Sequence, residues 1–293
     1  MNFRAVARRV VRRRVQVGAP PAVNPTYESD AVAARTDRIF KMCVGAAGFL
    51  RLDLALIAAL AGTDKFGVHD YVPTYDILMR PFRSRRISLL ELGVGGYSAA
   101  TGGESLRMWA AYFRRGRIYG VDIYDKTALS GGRVKVFQCS QTDRERLTVI
   151  AKECGPFDFI IDDGSHDNAD QIYSFGVLWP FLTDGGSYVV EDVQTSYWPS
   201  FGGGSVGSDG YKASALTFFK DLVDSVNVCE FLDRSTTGPT LEPTIGRIEF
   251  RHNLIVITKD RSIPESNLNL EDASIRAWLL SSKDTGGPPV DTR

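Results

Sequence analysis

From residue 87 onward the chain alternates short apolar runs with helical stretches, and no other feature limits its fold as tightly. Strand-like runs stand at residues 87–94, 117–123, 133–139, 157–161, 187–190, 226–232 and 254–258, with helical stretches at 104–114, 143–154, 168–182 and 211–225. Strand and helix repeated with short connections predict a doubly wound α/β sheet. Ligands of such sheets collect at the carboxyl ends of the strands, so the residues that end each run are the ones to inspect.

Composition narrows the function classes. A chain of 293 residues with 43% hydrophobic and 24% charged residues has room for a sizeable core, which excludes disorder, collagen-like repeats and a disulfide mini-scaffold. The longest strictly apolar run, at 54–61, falls far short of the roughly 20 residues that span a bilayer. Arg4, Arg8, Arg9, Arg12, Arg13 and Arg14 are followed by no apolar h-region, so no secretory signal is expected. Cys43, Cys139, Cys154 and Cys229 form no CxxC pair and read as reduced, buried thiols in a cytoplasmic protein.

Net charge is zero, but setting aside the six N-terminal arginines leaves 29 basic against 35 acidic residues, so the body is no nucleic-acid binder by charge. Val6, Val10, Val11 and Val15 give the basic arm an apolar stripe that suits a solvated or subunit-packing helix. A Pro-containing linker at 19–25 precedes a Pro-free helical segment at 29–61. The expected organisation is residues 1–62 as basic arm and helical lid or oligomerisation segment, 63–260 as the α/β domain, and 261–293 as an extension ending in a disordered tail at 283–293. A Gly-rich stretch at 200–210 reads as a mobile flap.

The first chemical constellation is Glu91-Leu92-Gly93-Val94-Gly95-Gly96-Tyr97, which ends a strand and leads to a helix. Its glycines allow either a simple tight turn or close approach to a nucleotide-like cofactor. The dinucleotide fingerprint G-x-G-x-x-G fails at Ser98, which counts against an NAD dehydrogenase. Asp122, ending the second strand 31 residues after Glu91, can accept hydrogen bonds from ribose hydroxyls or act as a plain loop or cap aspartate.

The second constellation is Asp162-Asp163-Gly164-Ser165-His166, with Glu191-Asp192 following Asp163 by 28 residues. Both acidic pairs end apolar strands; if those strands are neighbours, they lie about 4.8 Å apart and three carboxylates converge. Like charges so close raise one another's pKa unless a cation neutralises them, and all-oxygen donors select Mg2+, Mn2+ or Ca2+ over zinc. The plainer alternative has these acids solvating strand ends, with Asp167 or Asn168 capping the next helix. His166 sits where an imidazole serves as general base or supports a metal site structurally, whereas His69 and His252 have no comparable setting. Gln194, Tyr197 and Trp198 make a sugar-binding composition, though an aromatic pair at a strand end is also ordinary core packing.

With these residues laid out, the chain resembles the metal-dependent, S-adenosylmethionine-dependent sugar O-methyltransferases of the mycinamicin and related macrolide 2''-O-methyltransferase type. The resemblance covers residues 63–198. It is most specific at Leu89–Tyr97, Gly102-Gly103-Glu104-Ser105-Leu106-Arg107-Met108-Trp109, Asp162–His166 and Glu191-Asp192-Val193-Gln194-Thr195-Ser196-Tyr197-Trp198. It implies a Rossmann-like class I methyltransferase fold: a seven-stranded, mostly parallel sheet with helices on both faces, plus a short N-terminal helical segment. It also implies S-adenosylmethionine at Glu91, Gly93, Gly95, Tyr97, Ser105, Asp122, Gln141 and Asp162, and Mg2+ or Mn2+ at Asp163, Glu191 and Asp192. His166 is then the catalytic base, and Gln194, Tyr197 and Trp198 face the acceptor, a sugar or oligosaccharide. The chain is similar in plan to mycobacterial enzymes that methylate mannose- or rhamnose-containing glycans, and a homo-oligomer is expected. A metal-dependent hydrolase or hydroxylase-like enzyme on the same sheet is the alternative.

Overall fold

The computed structural model describes residues 42–96, 101–232, 244–262 and 265–281. The basic arm with its valine stripe, the linker at 19–25, the tail at 283–293 and Tyr97 lie outside them. Helical residues 42–49 lead to α1 (Leu54–Ala61) and α2 (Val72–Met79). Then follow β1 (Ser88–Leu92), α3 (Glu104–Tyr112), β2 (Arg117–Asp122), β3 (Val134–Gln138), α4 (Arg144–Cys154), β4 (Phe157–Asp162) and α5 (Asn168–Leu178). The chain continues through β5 (Leu182–Glu191), α6 (Ala215–Asp221), β6 (Ile245–Arg251), β7 (Leu254–Lys259) and α7 (Ala273–Leu280).

The sheet runs β3-β2-β1-β4-β5-β7-β6, with the first five strands parallel and β7 antiparallel to both neighbours. This is the expected class I methyltransferase architecture. The order reverses between β1 and β4, the switch point at which doubly wound sheets open a crevice. Strand periodicity sorts the core into two layers. Leu89, Phe159, Ile161 and Val189 pack with α1, α2 and α3 on one face; Leu90, Ile160, Tyr188 and Val190 pack with α4, α5 and α6 on the other. Aspartate caps start the helices: Asp143 accepts from the Arg146 N–H and Asp167 from the Ala169 N–H.

Three expectations are corrected. Residues 226–232 form no strand: a helical turn at Val223–Val226 and a 3-10 turn at Val228–Glu230 stand there, since a short apolar run does not distinguish strand from helix. The seventh strand is instead β6, an edge strand whose charged residues Arg247, Glu249 and Arg251 hide its pattern. Cys43 is exposed, while Cys139 is buried and Cys154 and Cys229 are half-buried. Among the described residues no helix is long and apolar enough to cross a membrane.

Candidate active site

β4 and β5 are neighbours, with Asp162 opposite Val190, so the two acidic pairs leave the sheet side by side. The same alternation that builds the core then separates their side chains. Asp162 follows Ile160 onto the α5 face, where it is 0% exposed and accepts hydrogen bonds from Ser174 and from Tyr188 Oη at 3.0 Å. Burial pushes its carboxyl up to about 6. Asp162, expected to touch a cofactor, is thus engaged inside the helix layer. Gln141 donates to it at 3.4 Å and accepts from the Ser165 N–H at 2.6 Å, which pins the 163–166 loop.

Glu191 follows Val189 onto the opposite face and meets Glu91 from β1 around one buried lysine. The Lys65 ammonium, 1% exposed, lies 2.5 Å from Asp163 Oδ2, 2.8 Å from Glu191 Oε2 and 3.4 Å from Glu91 Oε1. Burial works to lower the lysine pKa, but the surrounding carboxylates outweigh it and hold it well above the usual lysine value. Burial raises Asp163 and Glu191, with Asp163 adding to the rise at Glu191, and pushes Glu91 up to about 7. Tyr75 Oη donates to Glu191, and Ser105 Oγ to Glu91 at 2.7 Å. Ser105, another expected cofactor contact, therefore orients Glu91.

The Gly loop needs its first glycine for a steric reason. Gly93 has φ +79°, and a Cβ there would lie 2.0 Å from the Asp163 carbonyl oxygen, so only hydrogen lets β1 and the 163–166 loop approach. At Gly95, also at positive φ, a Cβ would meet, among the described residues, only Gly102 Cα at 3.9 Å. Asp122 accepts from the Val94 N–H and the Tyr124 N–H, both at 2.9 Å, and lies 3.3 Å from the buried Lys126 Nζ. Lys126 in turn donates to the carbonyls of Gly95 and Gly96, tying the loop to the end of β2.

At the mouth of this edge, Asp163, His166 and Asp192 each offer a donor atom within 4.8 Å of the others. His166 and Asp192 hold φ of +58° and +54°, left-handed backbone that favours glycine and is retained chiefly where the surroundings enforce it, often at functional sites. His166 Nε2 is 3.5 Å from Asp192 Oδ2, and its buried Nδ1 has no hydrogen-bond partner among the described residues. Burial would raise the Asp192 pKa, but hydrogen bonds from Gln194 and Tyr71, with the charges of His166 and His69, hold it below the ordinary aspartate value. Two carboxylates converging beside an imidazole make a donor set able to hold a divalent cation. Glu191, expected as a third ligand, accepts hydrogen bonds from Lys65 and Tyr75, as Asp163 does from Lys65.

Gln194 Nε2 donates to Asp192 Oδ1 at 3.0 Å. Tyr197 and Trp198 are 44% and 46% exposed, stacked on Tyr211 and tilted against Phe201, so the pair forms an open aromatic face. The Gly-rich stretch at 200–210, expected as a mobile flap, is tied down at its start. Gly203 N–H donates to Trp198 O, Gly204 N–H to Ser196 O, and Asn168 Nδ2 to Phe201 O.

Sequence reasoning missed Lys65, His69, Tyr71 and Tyr75, all from the connection before and within α2. His69 Nδ1 lies 3.4 Å from Asp192 Oδ1, and Tyr71 Oη donates to the same oxygen at 2.7 Å. Nothing periodic marks these residues; a His, a Tyr and a Lys clustered in a Pro-free loop would have been the only signal.

No protein-family model matches the chain. The chain is 43% identical over 210 residues to a rhamnosyl tetracenomycin-C 2'-O-methyltransferase of Streptomyces olivaceus, covering 70% of this chain and 54% of that protein. It is 38% identical over 235 residues to mycinamicin VI 2''-O-methyltransferase of Micromonospora griseorubida, covering 79% and 57%. The MycE methyltransferase of mycinamycin biosynthesis, solved in complex with Mg, SAH and mycinamycin VI, superposes with a TM-score of 0.71 at 33% identity over 90% of this chain and 72% of that one. The chain belongs to this sugar O-methyltransferase family. It spans about half the length of the curated family members it matches.

Proposed function

We propose that the chain is an S-adenosylmethionine-dependent, Mg2+-dependent O-methyltransferase acting on a hydroxyl of a sugar carried by a glycosylated natural product. The observation that carries this reading is the meeting, at one sheet edge, of the Gly93 loop with the Asp163, His166 and Asp192 cluster, whose donor atoms lie within 4.8 Å of one another. Family membership supports it: the relatives named above are by their names a 2'-O-methyltransferase of a rhamnosyl tetracenomycin and a 2''-O-methyltransferase of mycinamicin VI, and MycE is solved with Mg and SAH. The same support disfavours the hydrolase alternative.

In this reading Asp163 and Asp192 hold the ion, with Glu191 one residue away on Lys65, and Glu91, Gly93, Gly95 and Asp122 shape the cofactor cleft. When bound, the cofactor supplies a sulfonium methyl group and the cation lowers the pKa of a hydroxyl beside it. His166, oriented by Asp192, would accept the proton of a sugar hydroxyl brought to this mouth. Tyr197 and Trp198 stack on the apolar face of the sugar, and Gln194 steadies Asp192.

The test is transfer of radiolabelled methyl from S-adenosylmethionine to a panel of rhamnosylated and macrolide glycosides by the full chain with Mg2+. Label is expected in a sugar methyl ether and is lost on chelation. Transfer that persists in chelator, or in Asp163→Ala, removes the metal-dependent reading.

A further inference from the structure

Lys65 lies outside every role assigned above, yet it joins all of them. Its ammonium reaches one oxygen each of Asp163, Glu191 and Glu91, which stand at the carboxyl ends of β4, β5 and β1. A buried ammonium is strongly disfavoured unless carboxylates serve it, so these three side chains are held by Lys65 as much as it is held by them. Asp163 therefore has two cationic claimants: Lys65 on one side, and whatever it shares with Asp192 and His166 on the other. Both oxygens of Glu191 are engaged as well, one by Lys65 and the other by Tyr75.

We propose that Lys65 is a positioning residue that sets the divalent-metal affinity of the site, by holding Asp163 and Glu191 and linking them to Glu91 of the cofactor loop. The inference rests on the reading of Asp163 and Asp192 as the metal-holding pair. A fixed positive charge in contact with a ligand repels a second cation and occupies ligand oxygens. Removing it frees oxygens of Asp163 and Glu191 and takes away the repulsion. A merely structural lysine would do the reverse, since its loss would loosen the site and weaken binding.

The experiment is titration of the full chain with Mn2+, followed by the electron paramagnetic resonance signal of the free ion, in wild type, Lys65→Met and Lys65→Arg. Lys65→Met is expected to bind Mn2+ at least tenfold more tightly, and Lys65→Arg, which keeps the charge, within threefold of wild type. Unchanged or weaker binding in Lys65→Met overturns the inference while leaving the metal reading in place. Absence of Mn2+ binding in wild type overturns the metal reading and the inference with it. Should Lys65→Met not fold, Glu91→Gln tests the same bridge. Lys65 then rests on Asp163 and Glu191 alone and Mn2+ affinity falls at least threefold; no change overturns the inference.

Discussion

Replacing Gly93 by alanine tests whether the approach of β1 to the 163–166 loop builds the site. At φ +79° an L-residue costs about 1–2 kcal/mol. The new Cβ would stand 2.0 Å from the Asp163 carbonyl oxygen and 2.7 Å from its carbon, both main-chain atoms that can yield only if the loop moves. That movement breaks the 3.0 Å hydrogen bond from the Asp163 N–H to Leu92 O, worth about 1 kcal/mol net. Together these predict a loss of about 2–3 kcal/mol, or a Tm lower by about 4–12 °C. Gly185→Ala is the control: its φ is +74° and nothing lies within 4 Å of a Cβ there, so it bears the dihedral cost alone. Thermal unfolding by circular dichroism, with Mn2+ binding on the same samples, separates the two. Gly93→Ala should be the less stable and should lose metal binding, whereas Gly185→Ala keeps it. Equal stability of the two variants with intact metal binding in both would refute the reasoning.

Further expectations follow from the same geometry. His166→Ala should lower kcat by about 10²–10⁴-fold with S-adenosylmethionine affinity changed less than threefold, as read by steady-state kinetics and calorimetry. Trp198→Ala, removing half of the open aromatic face, should raise KM for the glycoside without changing cofactor affinity. Asp162 has a native pKa near 6 against 3.8 for an ordinary aspartate, so its favourable contribution is complete below about pH 4 and is lost as pH rises through 6. Asp162→Asn should therefore gain about 3 kcal/mol relative to wild type between pH 4 and 8, at 1.36 kcal/mol per pH unit over the shift, measured by urea unfolding. Burial pushes the Cys139 thiol up to about 11, so its alkylation by iodoacetamide should rise about tenfold per pH unit between 8 and 10, while exposed Cys43 reacts first.

The sheet was legible because its inner strands are buried on both faces and carry short apolar runs, as in 159–161 and 254–257. β6 was not, because an edge strand with alternating charges carries little apolar signal, and 226–232 misled because helical turns can hold the same valine and phenylalanine. The acidic pairs were legible as strand ends, and their adjacency followed from β4 beside β5. What the sequence could not convey is which way each carboxylate turns. A one-residue offset puts Asp162 on the α5 face and Glu191 on the α2 face, and only the register decides it. Lys65, His69 and Tyr71 were invisible for another reason: the Asp163, Glu191 and Asp192 carboxylates they meet are more than 90 residues away, and a loop lysine looks solvated until the fold buries it.

The most direct test of the central claim is a calorimetric titration of S-adenosylmethionine into the folded, Mg2+-loaded chain, with NAD as control, since it needs no choice of acceptor. Stoichiometric binding of S-adenosylmethionine and none of NAD is the predicted result. No binding of S-adenosylmethionine, in protein that unfolds cooperatively on heating, would contradict the account.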